Sequence, residues 1–398
     1  MMLRLREIEI AGYRSFKQAR VPLRSMNLLL GGNSAGKSNL LSVFTLLYEA
    51  SEGRLQEYVA RQGGASRLLR HGAKTTSRIE LRLHFDYQSE EAGPPQDLTY
   101  SLELTTREGD RLMVSKESMA GYAPGTKPLT VELSGNEWRS ELALTNPARV
   151  VALALDLRPF AQQIVDPQPR PFADWAKSIR QYLTTCRVYH INDTSPLARV
   201  RQTAEVADNR FVRQDGSNLP AMLFLLLIRH RAHYNRIVST LQLIMPQLHD
   251  FILEPERLNP SSIQLRFRER GSDRDLYVSQ LSDGMLRFAC LATLLLQPEL
   301  PPLLLIDEPE LGLHPAAIEL LCALLSSAAQ KTQVLVATQS VLMVDGQEDP
   351  ENILVTERDP SGATLARRLD AAALQSWLQE YSLGDLWLKN VPGFGGRP

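Results

Sequence analysis

The chain has 398 residues, 43% of them hydrophobic, enough for one to three domains with sizeable cores. Its 44 basic residues nearly balance 45 acidic ones, so no global field draws it to nucleic acid or to a membrane. Cys186, Cys290 and Cys322 are far apart and match no metal or disulfide spacing, which suits a reducing cytoplasm. The opening Met-Met-Leu-Arg-Leu-Arg-Glu lacks the apolar core of a signal peptide. The longest apolar run, around Met222–Ile228, is too short to span a bilayer, so a soluble cytoplasmic protein is expected.

Leu3–Ile10 alternates apolar and polar residues as a strand does, and Gly12-Tyr13-Arg14-Ser15-Phe16 turns out of it. Val21–Leu23 reads as a short return strand. Met26–Leu30 is apolar enough for a buried strand, and Asn39–Tyr48 has helical spacing. Between them, Gly31-Gly32-Asn33-Ser34-Ala35-Gly36-Lys37-Ser38 fits the phosphate-binding loop pattern. Backbone N–H groups of such a loop and of the helix start cradle phosphates. Lys37 is then expected to reach the β- and γ-phosphates, and Ser38 to hold Mg²⁺. A glycine-rich turn could match by chance, but the flanking strand and helix speak for the site.

Ser51–Lys74 is polar and without clean periodicity. Ile79–Tyr87, Leu98–Thr105 and Arg111–Ser118 predict three strands of an antiparallel side sheet, with turns at Gly93-Pro94-Pro95 and Glu108-Gly109-Asp110. Pro124–Asn136 reads as loop or weak strand. Pro159–Pro171 carries four prolines and separates the first lobe from the rest of the chain. Three segments are therefore expected. An N-terminal lobe over 1–158 carries the phosphate loop and side sheet, a helical insertion covers 159–247, and a C-terminal lobe covers 248–398.

Phe172–Thr185 looks helical, Arg187–Ile191 is a short strand, and Asn192–Asn218 is polar. Asp215-Gly216-Ser217-Asn218 is a helix-start signal for one long amphipathic helix over Leu219–Leu243. Arg199, Arg201, Arg210, Arg213, Arg229, Arg231 and Arg236 stand in this region against only Glu205, Asp208 and Asp215. A solvated face explains them as well as contact with nucleic-acid phosphates does. Phe251–Glu254, Ile263–Arg268 and Leu276–Val278 read as strands. No repeat appears, and no heptad stretch is long enough for a coiled-coil arm.

Leu303–Asp307 is an apolar run ending in an acid, as expected of a buried parallel strand whose C-terminal end faces a ligand. Asp307 is expected to coordinate Mg²⁺, directly or through water, and Glu308 to act as general base on the attacking water. Val334–Ala337 is another apolar strand, and a polar side chain of Thr338-Gln339-Ser340 could reach the γ-phosphate. Leu281-Ser282-Asp283-Gly284-Met285 opens a helix over Leu286–Leu296. Ser282 is a natural N-cap. With Gly284 and the helix dipole it could also bind a phosphate, one belonging to a neighbouring subunit.

The order Gly31–Ser38, Leu281–Met285, Leu303–Pro315, Ala337–Ser340 resembles the ATP-binding-cassette ATPases of the RecF/SMC branch. The Ile8–Phe16 opening looks like their N-terminal segment. Ile306–Pro315, Leu281–Met285, Tyr189–Ser195, Asp215–Leu219 and the tail Ser382–Trp387 with Gly395–Pro398 are similar to small bacterial AAA-family ATPases. Those are related to the ATPase half of overcoming-lysogenisation-defect nucleases. The resemblance implies an α/β head with an antiparallel side sheet and a helical insertion, closing as a head-to-head dimer over two Mg·ATP. It implies that Gly31, Asn33, Ser34, Ala35, Gly36, Lys37, Ser38 and Asn39 surround the nucleotide, with Arg14 and Ser15 near adenine. It places Ser38 and Asp307 at Mg²⁺ and makes Glu308 the base. Ser282 and Gly284 would contact the γ-phosphate of the opposite subunit, and Leu311–His314 would cross the interface.

Two departures from that pattern stand out. Asp283 and Met285 replace the second glycine and the glutamine of the commonest signature. Gln339 stands where a switch histidine is usual, so γ-phosphate sensing there would use a neutral amide. The glutamine loop stays unplaced among Gln62, Gln88 and Gln162. The stretch after Glu357 is short for a nuclease domain, which makes any nuclease a separate partner. Relatives often sit in anti-phage defence or DNA repair, implying an ATPase that licenses an effector. One competing reading is a transporter-type cassette, although such cassettes usually lack Leu3–Phe16 and the insertion over Pro196–Leu248. The other is a nucleotide-binding scaffold with very slow hydrolysis, which Gln339 favours.

Overall fold

The computed structural model describes residues 2–88, 96–121, 129–134, 137–140, 170–391 and 394, and the chain opens in it as a β-hairpin. Strands β1 (Met2–Tyr13) and β2 (Phe16–Pro22) pair antiparallel around a tight turn. The fully buried β3 (Met26–Leu30) then runs through the glycine-rich loop into helix α1 (Lys37–Ser51). Helices α2 (Leu55–Arg61) and α3 (Ala65–Leu68) fill the stretch where no periodicity was legible. At 7 and 4 residues they are too short to display a period.

Strands β4 (Arg78–Gln88), β5 (Gln96–Arg107) and β6 (Arg111–Gly121) form the expected three-stranded meander, and β7 (Leu129–Ser134) and β8 (Glu137–Ser140) extend it by two strands. The opening hairpin joins its edge, giving an antiparallel sheet of order β2-β1-β4-β5-β6-β7-β8. In β4, Ile79, Leu81, Leu83, Phe85 and Tyr87 face inward at every second position, as one buried face requires. The turn expected at 93–95, most of the proline-rich stretch at 159–171 with the boundary at 158, Gln162 and the tail 395–398 lie outside the described residues.

Helix α4 (Arg170–Leu183), strand β9 (Val188–Tyr189) and strand β10 (Ala204–Glu205) precede helices α5 (Leu219–Arg229) and α6 (Arg231–Ile244). The single helix predicted over Leu219–Leu243 is thus two, broken at His230. Buried Leu219, Leu223, Leu226, Tyr234, Ile237 and Leu241 keep one helical phase across the break, so the period carries no sign of it. Strands β11 (Leu248–Ile252), β12 (Pro255–Glu256), β13 (Asn259–Ile263), β14 (Arg266–Glu269) and β15 (Asp275–Tyr277) make two small sheets, β10-β13-β12 and β11-β14-β15. The strand predicted over Ile263–Arg268 is divided between them.

Helix α7 (Asp283–Leu296), β16 (Leu303–Asp307), α8 (Pro315–Ala329), β17 (Gln333–Thr338), α9 (Val341–Asp345), β18 (Ile353–Arg358), β19 (Thr364–Arg368), α10 (Ala371–Leu374) and α11 (Leu383–Leu388) follow. The central sheet has the order β19-β18-β3-β17-β16-β9 and is parallel except at β19. Its strands bury alternate residues in two cores. Leu304, Ile306, Val334 and Val336 face α5 to α8, while Leu303, Leu305, Leu335 and Ala337 face α1, α4 and the side sheet. Burial on both faces is why these strands read as unbroken apolar runs. Strand β3 lies between β17 and β18, so segments 1–158 and 248–398 share one sheet, and β9 of the insertion extends it. Among the described residues, no helix is long and apolar enough to cross a membrane.

Candidate nucleotide-binding site

The strand order decides which loops meet. Because β17 sits between β3 and β16, the C-terminal ends of all three open on one edge of the sheet. That edge is where open parallel sheets bind ligands. It gathers the glycine-rich loop after β3, Asp307 and Glu308 after β16, and Gln339 after β17.

In the loop, Ser34 adopts left-handed backbone with φ 66° and Gly36 has φ 115°. A Cβ on Gly36 would stand 2.3 Å from Thr364 Oγ1, so no other residue fits there. The side chains on this side form a chain of hydrogen bonds. Asn39 Nδ2 donates to Ser15 Oγ at 2.7 Å, Ser15 Oγ lies 2.8 Å from Thr364 Oγ1, and Thr364 Oγ1 lies 2.9 Å from Ala35 O. Arg14 donates to Gln62 Oε1 at 2.6 Å and to Asn39 Oδ1 at 3.5 Å. Arg70 donates to Ser15 O at 2.8 Å, and Arg358 Nε to Ser34 O at 2.8 Å. The opening turn, α1 and the β18–β19 hairpin thus clamp the loop together.

Lys37 is buried, and its Nζ donates to Gly31 O at 2.6 Å and Gly32 O at 3.2 Å. Burial lowers its pKa, while Glu308, Asp307 and Glu310 pull the other way. Asn33, Ser34 and Ser38 are exposed at the mouth of the loop.

The acidic edge is equally constrained. Glu308 takes left-handed backbone, φ 47°, unusual for a non-glycine residue, while its N–H donates to Ala337 O at 2.8 Å. Gln339 Nε2 donates to Glu308 Oε1 at 2.8 Å. Glu310 Oε1 accepts from Thr338 Oγ1 and, at 3.1 Å, from the Gln339 N–H. Burial raises the pKa of Glu310 and also that of Asp307, which His190 and Lys37 partly offset. His190 Nδ1 stands 3.2 Å from Asp307 O, an acceptor only, so the ring proton belongs on Nδ1.

Ser282 caps α7 by accepting the Met285 N–H at 3.3 Å, as predicted, and is exposed. Among the described residues no hydrogen bond joins Ser282 or Gly284 to the loop 31–38. A Cβ on Gly284 would meet Gly312 O at 2.4 Å, so the segment after Glu308 lies directly on the first turn of α7. Buried Arg287 locks this contact, donating to Leu311 O, Ile191 O and, at 2.9 Å, Asn192 O.

One arginine departs from expectation. Arg201, read with its neighbours as part of a solvated or phosphate-binding face, is buried and donates to Thr194 O, Val278 O, Leu281 O and Asp283 Oδ1. All its directions are spent inside the protein. Arg199, Arg210, Arg213, Arg229, Arg231 and Arg236 are exposed, with Arg213 paired to Asp208. Sequence reasoning also missed the parts played by Glu310, Thr338 and His190, although each lies within a motif it singled out. Thr364 and Arg70 carried no local signal at all.

Two sequence families match the chain. Residues 1–93, which hold the glycine-rich loop, match a family described as "Protein of unknown function (DUF2813)". Residues 123–345, which hold the α7 start and the β16 and β17 ends, match "AAA domain, putative AbiEii toxin, Type IV TA system". This match spans more than half of the chain. The chain belongs to this AAA-domain family. No curated protein matches this AAA-domain chain by sequence. Among solved structures, it is similar to an SMC head bound to the C-winged helix domain of ScpA, at 13% identity and a TM-score of 0.56. That alignment covers 93% of this chain and 99% of the other. It is also similar to the Smc head domain with an extended coiled coil from Pyrococcus furiosus, bound to the C-terminal domain of ScpA. There the identity is 14%, the TM-score 0.52, and the coverage 95% and 99%. The AAA domain thus has the fold of an ABC-type P-loop ATPase head of the SMC kind.

Proposed function

We propose that this AAA-domain protein is a Mg²⁺-dependent ATPase whose heads pair over ATP and part on hydrolysis. In this reading the cycle licenses a separate nucleic-acid-directed effector, such as a nuclease, in anti-phage defence or DNA repair. The observation that carries it is the meeting of Lys37, Asp307, Glu308 and Gln339 on one sheet edge, beside a loop that admits no side chain at Gly36.

The residues fit the ligand they would hold. The first turn of α1 presents N–H groups that no preceding turn accepts, and Lys37 would exchange two neutral carbonyls for charged phosphate oxygens. Ser38 and Asp307 would hold Mg²⁺, which neutralises phosphate charge when bound. Arg14, Ser15 and Asn39, already linked to one another, flank the loop on the side proposed for adenine. Glu308 is the general base, and the Gln339 amide holds one of its oxygens so that the other can take the proton of water. Gln339, a neutral amide without proton chemistry beside Glu308, favours a second reading, a nucleotide-binding scaffold that hydrolyses very slowly.

Ser282 and Gly284 lie at an exposed helix start unlinked to the chain's own loop, which supports a role across a head-to-head dimer. The test is a trapped state. Glu308→Gln keeps size and hydrogen bonding but cannot take the proton, removing an assistance of about 10²–10⁴-fold. Light scattering should then show an even-numbered assembly with Mg·ATP, and Ser282→Arg should abolish it. A Glu308→Gln mass that ignores ATP, or an assembly that ignores Ser282→Arg, would sink the paired-head reading. Turnover with and without double-stranded DNA separates the ATPase switch from the slow scaffold.

A further inference from the structure

We infer that residues 190–201 form a strap that sets the position of Ser282, with Arg201 as its positioning residue. The inference rests on the proposed role of Ser282 across the dimer. Arg201 grips the chain on both sides of that serine. Its guanidinium donates to Leu281 O at 3.1 Å, immediately before Ser282, and to Asp283 Oδ1 at 2.6 Å, immediately after. It holds Val278 O at 2.6 Å one turn earlier, and its Nε binds Thr194 O at 2.7 Å within the strap itself. A buried guanidinium is tolerated only when its donors are satisfied, so these four acceptors over-determine where Ser282 stands.

The far end of the strap is tied to the acidic edge. His190 Nδ1 bonds Asp307 O at 3.2 Å, and Arg287 holds Ile191 O and Asn192 O together with Leu311 O. One twelve-residue segment therefore links the end of β16, the loop after Glu308 and the start of α7. Between its two anchors the strap is exposed from Ser195 to Leu197, and a turn bonded from Ala198 N to Ser195 O keeps it folded. An arginine expected on a surface face, solvated or phosphate-binding, instead keeps the signature serine in register with the carboxylates.

The test compares nucleotide affinity with turnover in the full chain. In Arg201→Gln, affinity for a fluorescent ATP analogue should stay within twofold, because Lys37 and the loop are untouched. Its kcat should fall by about tenfold or more, as expected for a misplacement near 1 Å, and its KM should hold. Arg201→Lys should restore part of the loss. Asp283→Asn should lower kcat in the same direction by a smaller factor. Because the Asp283 side chain is 65% exposed, that variant serves if Arg201→Gln does not fold. The inference is overturned if both variants turn over within twofold of wild type while Ser282→Arg is inactive. It is equally overturned if affinity and kcat fall together in both, the mark of a merely structural bond. If Ser282→Arg itself turns over normally, the paired-head reading fails first and takes the inference with it.

Discussion

Lys37 shows how a side chain can be both buried and ready. Its ammonium rests on two loop carbonyls, and three carboxylates at and after the end of β16 partly offset the cost of its burial. Lys37→Ala is expected to remove a set of charge-assisted contacts worth roughly 2–4 kcal/mol, about thirtyfold to a thousandfold in ATP affinity. Calorimetric titration decides it, and affinity within twofold of wild type would reject the phosphate-loop assignment. Glu308 shows the opposite arrangement, in which positive φ and the Gln339 amide fix one carboxylate while its neighbour Glu310 fixes Thr338 and the Gln339 backbone. Glu308 was legible as the acid after an apolar strand. Glu310 was not, because its role depends on β17 lying alongside.

Among the elements, β6 carries an anomaly that the apolar pattern does not announce. Glu117 is 3% exposed and accepts from Tyr100 of β5 at 2.8 Å. Burial pushes its pKa up from 4.5 to about 7, with the Tyr100 bond opposing the rise. The folded protein therefore keeps a proton that the unfolded chain releases above 4.5. The stability this contributes is complete below that value and is lost as pH rises through about 7. Glu117→Gln resembles the protonated acid at every pH, so its advantage over wild type should grow between pH 5 and pH 8 by up to roughly 3 kcal/mol. Melting curves at the two values test this, and an unchanged difference would refute it. The α5–α6 break belongs to the same scale. No glycine or proline marks His230, and the apolar phase is continuous, so the break is imposed by packing.

At the scale of the whole molecule the near-zero net charge conceals local asymmetry. With Arg201 turned inward, the exposed arginines around α5 and α6 remain the surface proposed for nucleic acid. Affinity there should fall steeply with salt, and reversing Arg229, Arg231 and Arg236 to glutamate should cut the salt slope by about one for each phosphate no longer neutralised. Filter binding over a salt series measures this. Unchanged DNA affinity in the triple variant would move the binding surface elsewhere or to the partner.

The sequence alone determined the pieces whose causes are local. An apolar strand, two glycines at fixed spacing and a helix start identify the loop at 31–38, because the phosphate-loop pattern is written in consecutive residues. The runs at 303–307 and 334–337 identify central strands, because burial on both faces is written in adjacent residues. Tertiary structure decided what joins residues far apart in the chain. It placed β17 between β3 and β16, set Thr364 against Gly36, and turned Arg201 toward Asp283, 82 positions away. Such contacts leave no periodic trace, since each partner looks like an ordinary polar residue until the sheet order brings the two together.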